Sequence, residues 1–148
     1  MPKVEGATTI NANVDKVYAL ARDIEKFPQY IPTFKSADVT ERDGNRVVTK
    51  LVAEVAGMGL RIKWTEEELW DPDAKTCSFR QIEGDYKSMQ GSWTFTDLGN
   101  GTTRFDSQME LEYAMPIMTA ALEALITQKA KEGVDITLDS IKRVCEAA

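Results

Sequence analysis

An α+β fold, a curved seven-stranded antiparallel sheet wrapped around one long C-terminal helix, is predicted by three features of the 148-residue chain. The N-terminal segment reads as a strand followed at once by two short helical pieces. From Lys35 to Tyr113 the sequence is a succession of period-two runs separated by turn residues, as an antiparallel meander requires. After Pro116 a helical period continues to the end of the chain. Strands grouped together and followed by a helix mark α+β rather than α/β order.

Each element has its own local reason. Val4 to Ile10 reads as the first strand. Asn13 then offers a side-chain cap to a short helix whose apolar residues, Val14, Val17, Tyr18 and Ala21, fall at helical spacing. Asp23 to Lys26 leads into the octapeptide FPQYIPTF, Phe27 to Phe34. Pro28 and Pro32 each bias the preceding residue away from helix, so this segment is expected to be one short helical turn between bends. Turns at Asp43-Gly44-Asn45, Gly57-Met58-Gly59, Asp71-Pro72-Asp73, Gly84-Asp85 and Leu98 to Gly101 divide the middle of the chain into six strands. The last two are the clearest. Met89, Gly91, Trp93 and Phe95 alternate with polar residues, as do Phe105, Met109, Leu111 and Tyr113, giving one apolar and one wet face. Pro116 suits a first helical turn. Beyond it Leu122, Leu125, Ile126, Ala130, Val134, Thr137, Ile141, Val144 and Cys145 form an apolar stripe, opposite Lys131, Asp135, Asp139, Lys142 and Glu146. Unbroken from Met115 to Ala147, this helix would extend roughly 50 Å at ~1.5 Å per residue and could lie across a whole sheet. Gly133 interrupts it and is read as a point of close approach to the sheet.

Composition narrows the function. With 43% hydrophobic and 28% charged residues, the chain fits a single domain, residues 1–148, large enough to bury its own core. A net charge of −6 and a pI of about 4.8 set a repulsive average field for polyanions, and no basic patch offsets it, so no nucleic-acid partner is expected. MPKVEGATTI lacks the charged and apolar regions of a secretory signal, and no apolar run approaches membrane-spanning length, which together lead to the expectation of a cytoplasmic protein without a membrane span. The two cysteines, Cys77 and Cys145, lie far apart, match no metal spacing and read as small buried hydrophobes. There is no histidine. Histidine-dependent triads and histidine zinc sites are therefore excluded, any chemistry must run on carboxylates, Tyr, Lys or Arg, and no metal or other cofactor is expected.

A strongly twisted sheet gripped by one helix cannot close over that helix everywhere, so a space between them is expected, with the short helices placed to cover its mouth. The element order, the block INANVDKVYALARDIEKFPQYIP, the GSWTF strand and the long terminal helix resemble the START-like, polyketide cyclase/dehydrase and coenzyme Q-binding superfamily over almost the whole chain. The resemblance implies a helix-grip fold with a hydrophobic cavity that binds lipids, quinones, polyketides or other apolar molecules. It also implies three readings: a carrier or sensor of an apolar small molecule, which is preferred; a polyketide cyclase or dehydratase acting in the same cavity; and a ribosome-associated toxin, which the acidic composition opposes. A homodimer is compatible with all three.

The candidate ligand-binding residues follow. Phe27, Tyr30, Ile31 and Phe34 are expected to form the rim and cover of the cavity, the alternative being that they plug one end of the core. Trp64, Met89, Trp93, Phe95, Phe105, Met109, Met118 and Leu122 are candidates for its wall. Arg80 and Gln90 could each anchor a ligand carbonyl or lie solvated on the outer face. Leu60, Ile62 and Trp64 share one strand parity that Glu66 and Glu68 continue before Trp70. A regular strand would turn both carboxyls inward, where burial raises a carboxyl pKa and suits it to acid/base work, whereas a bulge within Thr65 to Glu68 would turn them out. Glu66, Glu68 and Tyr86 are thus the candidates for moving protons.

Overall fold

A computed structural model describes residues 3–55, 57–114 and 119–147. Strand β1 (Lys3–Ile10) is followed by α1 (Val14–Arg22), a 3-10 turn (Ile24–Lys26) and α2 (Phe27–Tyr30). Then come β2 (Phe34–Asp43), β3 (Arg46–Glu54), β4 (Arg61–Asp71), β5 (Thr76–Gly84), β6 (Tyr86–Gly99), β7 (Thr102–Tyr113) and α3 (Ala120–Ala147). All seven strands form one antiparallel sheet in the order β1-β7-β6-β5-β4-β3-β2, so the meander closes back on the first strand. Pro116 and the predicted first turn of the terminal helix lie outside the described residues.

Local chemistry accounts for the short elements. Asn13 caps α1 by accepting a hydrogen bond from the Asp15 N–H at 2.9 Å. Val17, Tyr18 and Ala21 are the buried face of α1, and the Tyr18 ring stands edge-on to Trp70 and Phe95 at 5.5 and 5.6 Å between centroids. Pro28 falls in the first turn of α2, where its missing N–H costs nothing.

Helix α3 grips the sheet unevenly. Its buried residues, Leu138, Ser140, Ile141 and Cys145, all lie in the C-terminal half, which is tied to the N-terminal segment by Glu146 Oε2 accepting from Asn11 N–H at 2.8 Å and by the Lys142 ammonium on Thr9 O. Close approach is permitted by Gly6 of β1, not by Gly133: a Cβ on Gly6 would stand 2.9 Å from Leu138 Cδ1, whereas one on Gly133 would meet nothing within 4 Å. The N-terminal half stands off, and Leu125 of the predicted stripe is 41% exposed. The standoff opens a space between helix and sheet.

Candidate ligand cavity

The space beneath the N-terminal half of α3 is a cavity of about 150 Å³, walled by the inward faces of β3 to β7, by Phe27 of α2 and by Ala130, Gly133 and Val134 of α3. Its lining is overwhelmingly apolar and aromatic. Trp64 and Tyr86 meet edge-on at 5.5 Å, Phe34 lies 6.4 Å from Trp64, and Trp93 touches Phe27, Trp70 and Phe79 at 6.2, 6.3 and 6.0 Å between centroids. Thr33, Phe34, Glu54, Val55 and Lys129 are only half-buried and mark the mouth, while Glu68, Trp70 and Cys77 are fully buried and mark the deep end.

The predicted cavity residues divide by depth and face. Phe27, Phe34, Trp64, Met89, Trp93 and Met109 line the space. Tyr30 and Ile31 do not. Ile31 is fully buried in the main core and Tyr30 packs against that core from outside, so the octapeptide is part cavity wall and part plug. Phe95 and Phe105 also fall outside the lining: they stack on each other at 4.4 Å on the side of Trp93 away from the cavity, where α1 covers them. Arg80 points outward to Glu67, with its Nε–H donating to Oε1 at 3.2 Å, and Gln90 is exposed on the same outer face. Strand alternation decides both. Leu122 is half-buried but lies beyond the cavity on α3, and Met118 lies outside the described residues. Leu60 precedes β4 and is 54% exposed, so the inward parity begins at Ile62.

Sequence reasoning passed over Leu51, Cys77, Phe79, Leu111 and Val134, all of which line the cavity. Cys77 and Phe79 share the inward parity of β5, and that signal was present in the sequence.

The two inward glutamates are the most unusual feature. β4 pairs with β3 without a break from Arg61 to Leu69, so Glu66 and Glu68 stay on the inward face, 8% and 1% exposed. A register shift does occur opposite Thr65 and Glu66, but its extra residue is Ile82 on β5, and the parity of β4 is untouched. Gly84 makes room for that irregular end, since a Cβ there would lie 2.5 Å from the Trp64 backbone. Each carboxyl has an indole partner on its own strand. Trp64 Nε1–H donates to Glu66 Oε1 at 2.8 Å, and Trp70 Nε1–H donates to Glu68 Oε1 at 3.1 Å. Glu68 Oε2 and Thr49 Oγ1 are buried, and neither completes a hydrogen bond of ordinary geometry.

Burial sets the electrostatics. Loss of water pushes the Glu66 carboxyl up, against the opposing contacts with Glu68 and the Trp64 indole. Burial also raises Glu68, and the neighbouring Glu66 raises it further. The pair therefore holds a shared proton above the ordinary carboxylate range. Tyr86 is likewise raised, chiefly by burial, with Tyr113, Glu66 and Asp85 adding to it. It is a neutral phenol in the wall.

Comparison with known proteins agrees with this architecture. Residues 10–136 match the family described as polyketide cyclase / dehydrase and lipid transport. The crystal structure of a protein from Thermus thermophilus superimposes with a TM-score of 0.92 and 31% identity, covering 99% of this chain and 98% of the other. A Streptomyces cyaneus protein provisionally named a polyketide cyclase is 25% identical over 145 residues, 95% of this chain and 93% of its own. The ribosome association toxin RatA of Pseudomonas aeruginosa is 24% identical over 128 residues, covering 86% and 87% of the two chains.

Proposed function

The chain belongs to the polyketide cyclase/dehydrase and lipid-transport family, and from that premise we propose that it binds a hydrophobic small molecule, a lipid, quinone or polyketide-like compound, between the sheet and α3. The observation that carries this reading is the apolar, aromatic-walled cavity left open where α3 stands off the sheet. Few polar groups set in an apolar concave wall are the usual make-up of a small-molecule site. A space of this volume holds about one aromatic ring, so the rest of a larger ligand would extend through the mouth beside Phe34 and Lys129.

Native mass spectrometry of gently purified protein, with identification of anything released on denaturation, tests the reading together with the variant Gly133→Leu. A leucine at this position meets open space and projects into the cavity. The expected outcome is a bound apolar molecule on the unmodified protein and none on the folded variant. Equal occupancy of both would place the ligand elsewhere and end this proposal.

A second reading, cyclisation or dehydration of a polyketide-like chain, is favoured by one observation: Glu66, Glu68 and Tyr86, each raised by burial above its ordinary pKa, share the cavity wall. A protonated carboxyl held against a bound carbonyl is a competent general acid. Unchanged turnover in Glu66→Gln and Glu68→Gln would remove those two groups from such a mechanism. The net charge of −6 opposes an RNA contact, so the toxin-named relatives do not supply the preferred function.

A further inference from the structure

The mouth of the cavity carries apolar side chains that the fold leaves in water. Among the described residues six large apolar side chains are at least 41% exposed, and three of them stand at this one place: Met58 at 44%, Leu60 at 54% and Leu125 at 41%. The other three, Leu69, Ile82 and Leu98, belong to three different strands. Single exposed leucines are ordinary, whereas a cluster at the opening of a cavity marks a contact surface.

The turn between β3 and β4 presents two of the cluster. Val55 and Ile62, on either side of it, line the cavity, so the turn stands on the rim. Val55 N–H donates to Leu60 O at 2.7 Å and Met58 N–H to Val55 O at 3.0 Å, which closes the turn through backbone alone. Gly57 and Gly59 take positive φ, 73° and 66°, on either side of Met58, and both apolar side chains remain in solvent. Across the opening, a Cβ on Gly57 would lie 3.7 Å from Lys129 Nζ, and Leu125 is one turn before Lys129 on the same face of α3. The start of that helix is apolar nearly all round: Ala120 to Ile126 holds one charged residue, Glu123, and none of these residues is buried.

Charge at this end runs against the rest of the molecule. Residues 55–63 hold Arg61 and Lys63 and no acid, in a chain with 24 acidic and 18 basic residues. Both bases are exposed and enter no ion pair among the described residues. Glu54 at the mouth is answered by Lys35 at 3.6 Å and Lys129 by Glu132 at 3.2 Å, while Asp85 accepts from the Lys63 N–H at 2.8 Å. A loop tip and one helical turn are too small for a stable protein interface, which takes about 800 Å² from each partner. A bilayer accepts projecting apolar side chains in any arrangement, with bases among its headgroups.

We propose that the cavity mouth docks on an anionic lipid surface, with Met58, Leu60 and Leu125 entering the acyl boundary and Arg61 and Lys63 resting among the headgroup phosphates. An apolar molecule could then pass between bilayer and cavity without crossing water. Flotation of the purified protein with vesicles tests this, using phosphatidylcholine alone and phosphatidylcholine mixed with phosphatidylglycerol in equal parts. The protein is expected to float with the mixed vesicles, several-fold less with the neutral ones, and to leave the mixed ones as salt is raised. Leu60→Asp should weaken flotation about tenfold or more. Leu98→Asp should leave it unchanged, since Leu98 is 50% exposed but lies at the far end of β6 from the cavity residue Tyr86. Arg61→Glu combined with Lys63→Glu should erase the preference for mixed vesicles.

No flotation with either vesicle overturns the proposal, as does equal flotation of Leu60→Asp and the unmodified protein. Sedimentation velocity without lipid decides the competing occupant: self-association that Leu60→Asp abolishes, with no flotation, assigns the patch to a second copy of this chain. Docking needs no molecule in the cavity, so its failure leaves the cavity reading standing. An empty cavity in a protein that floats overturns that reading alone.

Discussion

At Glu67 the Arg46 guanidinium donates to the carboxylate at 2.8 Å, and that hydrogen bond, with Arg80 beside it, holds the group below the ordinary carboxylate range. Its neighbours Glu66 and Glu68 are driven the opposite way by burial. Three identical side chains in a row thus differ because successive strand residues face opposite media. The sign for stability follows. A carboxyl whose folded pKa lies above its unfolded value, 4.5 for Glu68, stabilises the protein fully below that value and loses the contribution as pH rises towards the folded pKa. Urea denaturation at about pH 5 and about pH 8 should therefore show the unmodified protein losing stability over this window, with Glu68→Gln losing markedly less. Parallel declines in the two proteins would mean that the pair is ionised in the folded state. The inward parity of these glutamates was legible in the sequence. Their indole partners were not, because side-chain direction between residues two apart depends on rotamers.

Helix α3 is best understood as two halves with different work. The C-terminal half is clamped on β1 through Gly6 and the Glu146 and Lys142 tethers, and the N-terminal half roofs the cavity. Gly133 sits in the roof with open space at its missing Cβ, so Gly133→Ala should raise stability by about 1 kcal/mol from helix propensity alone, read as a higher urea midpoint at unchanged slope. A loss of stability would show that α3 closes onto the sheet at this point. The period of the helix was plain from its sequence. Which half would touch the sheet was not, since apolar residues recur at helical spacing through both halves and only contact with β1 and α1 separates them.

For the molecule as a whole, the cavity and the core share residues. Phe27 is 2% exposed, packs edge-on against Tyr30 and Phe34 at 6.1 and 5.4 Å, and also lines the cavity. Phe27→Ala should cost about 3–5 kcal/mol in urea denaturation, as a core truncation does, and also weaken binding of apolar probes. A small stability loss with strong binding loss would instead make Phe27 a simple rim residue. The strand and helix order, the turns and the α1 cap could all be read from residue pattern, because each depends on neighbours within a few positions. So could the inward face of β4. The depth of the cavity and the exclusion of Phe95 and Phe105 from its wall required the assembled sheet. They depend on how far α3 stands from strands remote from it in the sequence and on where α1 covers the sheet, distances that no local spacing encodes.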